Sequence, residues 1–104
     1  MTFSIKQNDS SPAIVYILSD DSGPVNLTGA TVWFHMGTGL SALAVVVDAL
    51  AGKVSYSWAA EDTARAGFFR AEFEAIYADG SKETYPNEGY IGVNISPDIG
   101  NPPP

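Results

Sequence analysis

The chain has 104 residues, enough for one domain, and a net charge of −7 that arises from 12 acidic and five scattered basic residues. Binding to nucleic acid or to an anionic membrane surface needs clustered cations, so we expect neither partner. Because the chain has no cysteine, a disulfide framework, a thiol nucleophile and a sulfur-ligated metal are excluded.

Short stretches that alternate apolar and polar residues follow one another along the chain, with turn residues between them. This period of two predicts β-strands over residues 3–5, 13–18, 31–36, 43–47, 53–58, 68–78, 81–85 and 90–95, with a brief edge segment at 25–27. Residues 60–65 break the alternation and predict one helical turn. Asp79 and Gly80 give the strongest hairpin signal, since both tolerate positive φ.

About seven or eight short strands at intervals of roughly 8–12 residues predict an all-β fold, an antiparallel β-sandwich. We expect one domain over residues 1–96, followed by a Pro-rich extended tail over residues 97–104. Residues 1–6 lack the basic start and the apolar middle of a signal peptide. No apolar run approaches the roughly 20 residues of a membrane helix, so we expect the chain to stay in the cytosol or join an assembly there.

The phase of each strand predicts which side chains face the core and which face outward. The predicted core residues are Val32, Phe34, Met36, Val54, Tyr56, Trp58, Phe69, Ala71, Phe73, Ala75, Tyr77, Ile91, Val93 and Ile95. The strand at 13–18 is apolar on both faces, which is typical of a central strand or of one that faces a partner. The same strand carries Tyr16.

Several aromatic residues fall on the outward phase and are candidates for a contact surface, because exposed aromatic clusters usually mark interfaces. The alternative is that short loops or the second sheet cover them. A Pro-rich tail could also lie along a neighbouring subunit. The candidate interface residues are therefore Trp33, Phe68, Tyr90, Tyr16, Pro102 and Pro103.

The residues that carry chemistry point away from catalysis. His35 is the only histidine, so a multi-histidine metal site is excluded and no spare base is present. Glu72 and Glu74 share one strand face with Arg70, which is typical of a solvated surface. The acidic turn at residues 20–26 lacks the spacing of a calcium loop, and no glycine-rich loop precedes a helix. We therefore expect no catalytic residue, no cofactor and no metal.

An ordered set of short motifs carries a family resemblance over residues 3–96. The motifs lie at residues 5–10, 18–32, 52–58, 62–63, 67–73, 79–80, 84–86 and 89–91, among them Leu27-Thr28-Gly29-Ala30 and Gly67-Phe68-Phe69-Arg70. In this order they resemble the N-terminal domain family of tailed-bacteriophage baseplate upper proteins, including small stand-alone relatives.

The resemblance implies an immunoglobulin-like β-sandwich with a structural role in a virion and no catalytic residues. In longer relatives the domain docks onto the phage tail, and a following segment carries receptor-binding fibres. This chain stops just after the domain, so we expect a free-standing tail, baseplate or neck adaptor. Its expected partners are other virion structural proteins and symmetric copies of itself, arranged as a homo-oligomer or ring.

Three alternatives stay open. The first is a capsid decoration protein. The second is a carbohydrate-binding module of a host-recognition device, which needs coplanar exposed aromatics, with Trp33 and Tyr90 as the candidates. The third and least favoured is a hydrolase that depends on Glu72 or His35.

Overall fold

A computed structural model describes residues 1–99. These residues form eleven strands, and a 3₁₀ turn at Ala60–Thr63 stands between the eighth and the ninth. The strands are β1 (Thr2–Lys6), β2 (Ile14–Ile17), β3 (Ser19–Asp20), β4 (Gly23–Pro24), β5 (Thr31–Met36), β6 (Leu40–Leu43), β7 (Val45–Asp48), β8 (Lys53–Tyr56), β9 (Gly67–Ile76), β10 (Lys82–Tyr85) and β11 (Ile91–Ser96). Pro102 and Pro103, with most of the predicted tail, lie outside the described residues.

The strands build two stacked sheets and a small ribbon. The large sheet has the order β1-β11-β9-β5-β6, with β10 also paired to β9, and the small sheet has the order β2-β8-β7. Strands β3 and β4 pair only with each other. The long strand β9 binds β5 along one edge and, along the other, first β11 and then β10. The prediction of an all-β sandwich is confirmed; its immunoglobulin-like character stays a prediction.

One strand pair departs from the antiparallel expectation. β1 runs parallel to β11, with Phe3 opposite Val93 and Ile5 opposite Ile95, whereas every other pair is antiparallel. Parallel neighbours need a long connection, and here almost the whole domain lies between the two strands. The alternation of apolar and polar residues within a strand does not indicate which other strand it pairs with, so it could not predict this parallel pair.

The core lies between the sheets and is rich in aromatic rings. Phe34 of β5 stacks on Tyr56 of β8 with ring centroids 4.8 Å apart, and it contacts Phe73 of β9 at 5.0 Å. Trp58 meets the edge of Phe34 at 5.5 Å. The predicted core residues are buried, except that Phe69 and Tyr77 are half-buried at its margin.

Two predicted strands are corrected. The strand expected at 43–47 is in fact β6 and β7, and the chain passes from the large sheet to the small one at Ala44. The Ala44 N–H donates to the carbonyl of Val32, 2.8 Å away, which ties the crossing point to β5. The edge segment expected at 25–27 is not a strand; Gly23–Pro24 pairs with Ser19–Asp20 instead.

The connection between β8 and β9 is tied to the turn after β1. The buried hydroxyl of Thr63 donates to the carbonyl of Asp9 at 2.7 Å, and the Asn8 N–H donates to the carbonyl of Thr63 at 3.0 Å. The predicted helical turn is therefore confirmed as a 3₁₀ turn, and the Asp62 carboxylate braces its start by accepting a hydrogen bond from the Ala59 N–H. None of the described residues belongs to a helix long and apolar enough to cross a membrane.

Candidate functional site

An exposed aromatic cluster lies on the outer face of the large sheet, where the first half of β9 pairs with β11. Phe68 is 63% exposed and Tyr90 is 55% exposed, and the guanidinium of Arg70 lies 5.2 Å from the centre of the Tyr90 ring. Met1 is also exposed, and it borders a shallow cleft together with Phe68, Arg70 and Tyr90. We call Met1, Phe68, Arg70 and Tyr90 the aromatic patch.

The local sequence explains why the Phe68 ring lies on the sheet. Phe68 points outward from β9 and pairs with Asn94 of β11, and its diagonal neighbour on β11 is Gly92, which pairs with Arg70. A Cβ atom at Gly92 would lie 2.6 Å from the Phe68 ring. The missing side chain at Gly92 therefore makes room for the ring to cover the backbone of β11.

Two shallow clefts meet at the aromatic patch and share Arg70 and Tyr90. One, of about 350 Å³, runs toward His35, Gly37 and Glu72. The other, of about 340 Å³, runs toward Met1 and Thr2 and over Gly92. The clefts offer aromatic rings for apolar contact, and the Arg70 guanidinium and the peptide backbone for hydrogen bonds. A protein partner that combines both kinds of contact would therefore fit this surface.

Trp33 does not belong to this cluster. It is half-buried on β5, where it pairs with Glu74 of β9 and with Leu43 of β6. Glu74 is six residues from Phe68 along β9, which corresponds to about 20 Å. Trp33 is therefore remote from Phe68, and it lines neither of the two clefts at the aromatic patch.

Tyr16 points toward the core and not away from it. Its ring is half-buried and stacks on Phe73, with centroids 5.8 Å apart and planes 11° from parallel, and burial raises the pKa of the Tyr16 hydroxyl. The exposed residues of β2 are its neighbours Val15 and Ile17. Because β2 is an edge strand of the small sheet, the interpretation of a central strand is wrong, and the partner-facing interpretation stays a prediction.

A second exposed apolar surface lies on the outer face of the small sheet. Val15 and Ile17 of β2 and Val45 and Val47 of β7 are between 45% and 58% exposed. We call these four residues the apolar face. Sequence reasoning did not identify this surface, although the doubly apolar strand at 13–18 and the odd-numbered apolar residues at 43–47 were the available signals.

The single histidine lies in a hydrogen-bonded row on the outer face of the large sheet. His35 contacts the Ser41 hydroxyl through Nδ1 at 2.8 Å and a Glu74 carboxylate oxygen through Nε2 at 3.0 Å. The three residues form a Ser-His-acid row, but Ser41 is exposed on an edge strand. Among residues 1–99, no group of three or more histidine, aspartate or glutamate side chains is placed to hold a metal ion.

Comparison with known proteins identifies the family. No curated protein matches the chain. The family model described as the BppU N-terminal domain matches residues 2–91, most of the chain, which confirms the resemblance seen in the motifs. The chain therefore belongs to the BppU N-terminal domain family, a family of phage baseplate upper proteins, and is a structural protein of the phage baseplate or tail.

Proposed function

We propose that the chain is a noncatalytic adaptor, present in symmetric copies, that docks onto neighbouring virion proteins through the aromatic patch. The observation that carries this proposal is the pair of exposed rings, Phe68 and Tyr90, with Arg70 against one of them. Tyrosine and arginine are enriched among the residues that dominate the binding energy of interfaces. A single exposed apolar residue is common on protein surfaces, whereas a cluster of exposed aromatic residues indicates an interface.

The free energy available from burying the two rings is large enough for a docking role. Full burial of a large apolar side chain contributes about 1.5–3 kcal/mol, so two rings together offset a good part of the roughly 4–15 kcal/mol lost on association. Arg70 is already held over the Tyr90 ring. A partner therefore meets a partly ordered cation, which reduces the entropy lost when the interface forms.

The proposal is tested with phage particles that lack the protein and are supplied with purified wild-type or F68S/Y90S protein. We expect wild-type protein to sediment with the particles and the double variant to be at least about tenfold depleted. The control is Leu50→Ser, which removes a 74% exposed apolar side chain outside the patch. Equal sedimentation of F68S/Y90S and wild-type protein would overturn the proposal.

Two other measurements, imaging of the particles and a glycan array, separate the alternatives. Density for the protein on the capsid shell, and not on the tail or baseplate, would make it a decoration protein. Binding of the isolated protein to a glycan array, lost in F68S/Y90S, would make it a carbohydrate-binding module.

A hydrolase is a second candidate, and one observation favours it: the Ser41-His35-Glu74 row. In a serine hydrolase such a row works together with donors for an oxyanion and a concave substrate site. Ser41 stands on an exposed edge strand, so we expect no turnover. Hydrolysis of p-nitrophenyl acetate above the buffer rate, abolished in Ser41→Ala, would establish the hydrolase instead.

A further inference from the structure

The apolar face is built on the three short strands β2, β8 and β7, and β7 carries a bulge between Val46 and Asp48. Val15 of β2 and Val45 of β7 both pair with Ser55 of the central strand β8, so a small residue lies between two valines. Ile17 and Asp48 flank Lys53 in the next row. The branched side chains therefore form two ridges with a shallow groove along β8.

The charge of the apolar face differs from that of the whole chain. The chain carries −7, but the rows around the four apolar residues contain one lysine, Lys53, and one aspartate, Asp48. Repulsion between like-charged molecules opposes their association. Because the two charges of this face cancel, two copies that approach through it meet little local repulsion.

We propose that a second copy of this chain covers the apolar face. The small sheets of the two copies pack outer face to outer face about a twofold axis that lies between them, crosses the direction of β8 and passes over Ser55. This inference deepens the proposed function, since it assigns a surface through which the symmetric copies contact each other. It rests on the proposed function only for the part that this contact plays in the particle.

The twofold arrangement is compatible with both the apolar and the charged residues. This rotation places the groove of one copy over the groove of the other and brings the valine ridges of the two copies into contact, at the roughly 10 Å spacing of packed sheets. Lys53 lies two residues from Ser55 along β8, so the two lysine Cα atoms are about 13 Å apart along the strands and about 17 Å apart when the spacing between the sheets is included. That distance exceeds the Debye length of about 8 Å at physiological ionic strength, so their repulsion is screened.

The size of the surface predicts a weak dimer in solution. An exposed apolar patch on a single domain covers about 300–600 Å², whereas a standard stable interface buries about 800 Å² from each partner. We therefore expect self-association with a Kd of about 0.1–1 mM. In a particle that holds several copies side by side, a high effective concentration makes the same contact stable.

The first test is sedimentation equilibrium of the full chain at concentrations up to about 2 mM, above the expected Kd. We expect V15E/V45E to weaken dimerisation at least tenfold, because four carboxylates then meet in the interface. The matched control V15T/V45T keeps β-branched side chains of the same shape, and we expect it to weaken dimerisation less than V15E/V45E does. F68S/Y90S leaves this surface intact and should dimerise like the wild-type protein.

The second test fixes the axis. Since the chain has no cysteine, a single Ser55→Cys substitution gives one thiol per copy, and a short bis-maleimide should join two copies through it. Thr31→Cys, exposed on the outer face of the large sheet, is the control and should not yield a joined dimer at the same protein concentration. Equal yields from the two variants would overturn the twofold arrangement.

Failure of this inference is distinguishable from failure of the proposed function. A wild-type protein that stays monomeric to about 2 mM overturns the second-copy proposal, whatever the aromatic patch does. If V15E/V45E then also fails to sediment with particles, another virion protein occupies the apolar face. If F68S/Y90S alone fails to sediment, the docking proposal stands without self-association.

Discussion

Asp62 shows how a single side chain can organise a loop between two sheets. One carboxylate oxygen accepts hydrogen bonds from the buried Tyr56 hydroxyl at 2.5 Å and from the Ala59 N–H at 2.8 Å. We expect Asp62→Ala to lower the free energy of unfolding by about 1–3 kcal/mol, because it leaves a buried phenol without an acceptor. Urea denaturation measures the change.

Two further variants test this account of Asp62. Asp62→Asn keeps an acceptor oxygen and should lose less stability. In Y56F/D62A the orphaned hydroxyl is gone, so the double variant should be more stable than the sum of the single effects predicts. A loss below about 0.5 kcal/mol for Asp62→Ala would place it among ordinary surface changes and contradict the account.

Tyr85 should make the free energy of unfolding decrease at alkaline pH. Burial, the hydrogen bond with Tyr77 and the nearby Glu83 raise its pKa well above the ordinary value of 10.0. Above pH 10 the unfolded chain loses this proton while the folded chain keeps it, so the unfolded state binds fewer protons and stability falls as pH rises. The stability conferred by the neutral phenol is complete below pH 10 and is lost as pH approaches the raised pKa.

The expected slope for one such group is about −1.4 kcal/mol per pH unit above pH 10. Burial and Asp62 raise the pKa of Tyr56 in the same direction, so wild-type protein should lose stability faster than one group alone predicts. Tyr85→Phe should remove about one group's share of the slope. Urea denaturation between pH 9 and 12 measures it, and equal slopes for Tyr85→Phe and wild-type protein would refute the assignment.

The turn from β7 to β8 depends on a glycine at its last position. Gly52 has φ of +65°, and a Cβ atom there would lie 2.6 Å from the Leu18 carbonyl and 2.9 Å from the Val25 carbonyl. Gly89, at φ of +72°, has nothing within 4 Å of a built Cβ. Both positions carry the left-handed penalty of about 1–2 kcal/mol, but only Gly52 adds a backbone clash.

We therefore expect Gly52→Ala to destabilise the protein by at least about 2 kcal/mol more than Gly89→Ala, since backbone atoms must move to admit the methyl group. Thermal or urea denaturation of the two variants gives the difference directly. Similar losses would mean that backbone conformation alone matters at Gly52 and that the close approach to the Leu18 and Val25 carbonyls does not.

The strands show how far a sequence predicts this fold. Strand β5 has the predicted bounds, because Val32, Phe34 and Met36 alternate in phase and glycines follow immediately. The passage between sheets at Ala44 was missed because inward and outward residues keep the same phase through it. The parallel partner of β1 was missed because pairing over such a distance depends on the whole assembled sheet.

The candidate site follows the same division. Phase along the strand indicated that Phe68 faces solvent, and it does. Proximity depends on register, and register places Phe68 beside β11 and far from Trp33. The apolar face is shared by β2 and β7, which are neighbours only through β8, so neither strand's sequence reveals it alone.

At the scale of the whole molecule, a two-layer sandwich uses its inner faces for cohesion and leaves two outer faces for partners. The aromatic patch lies on the outer face of the large sheet, and the apolar face lies on that of the small sheet. The two surfaces therefore point in roughly opposite directions. One copy can hold a virion protein on one side and a second copy on the other without competition.

Salt should strengthen the association of two copies, because the contact is apolar and the molecules repel each other. Two charges of −7 at about 26 Å, twice the radius of gyration of a 100-residue domain, repel by about 3 kcal/mol when the Debye length is about 30 Å at 0.01 M salt. At 0.15 M the Debye length is about 8 Å and the repulsion falls to a few tenths of a kcal/mol. We expect the Kd to decrease on the order of 100-fold between these salt concentrations. Sedimentation equilibrium at both salt concentrations measures this change in Kd. A Kd that increases with salt would mean that ion pairs hold the two copies together. The neutral apolar face would then not be the contact.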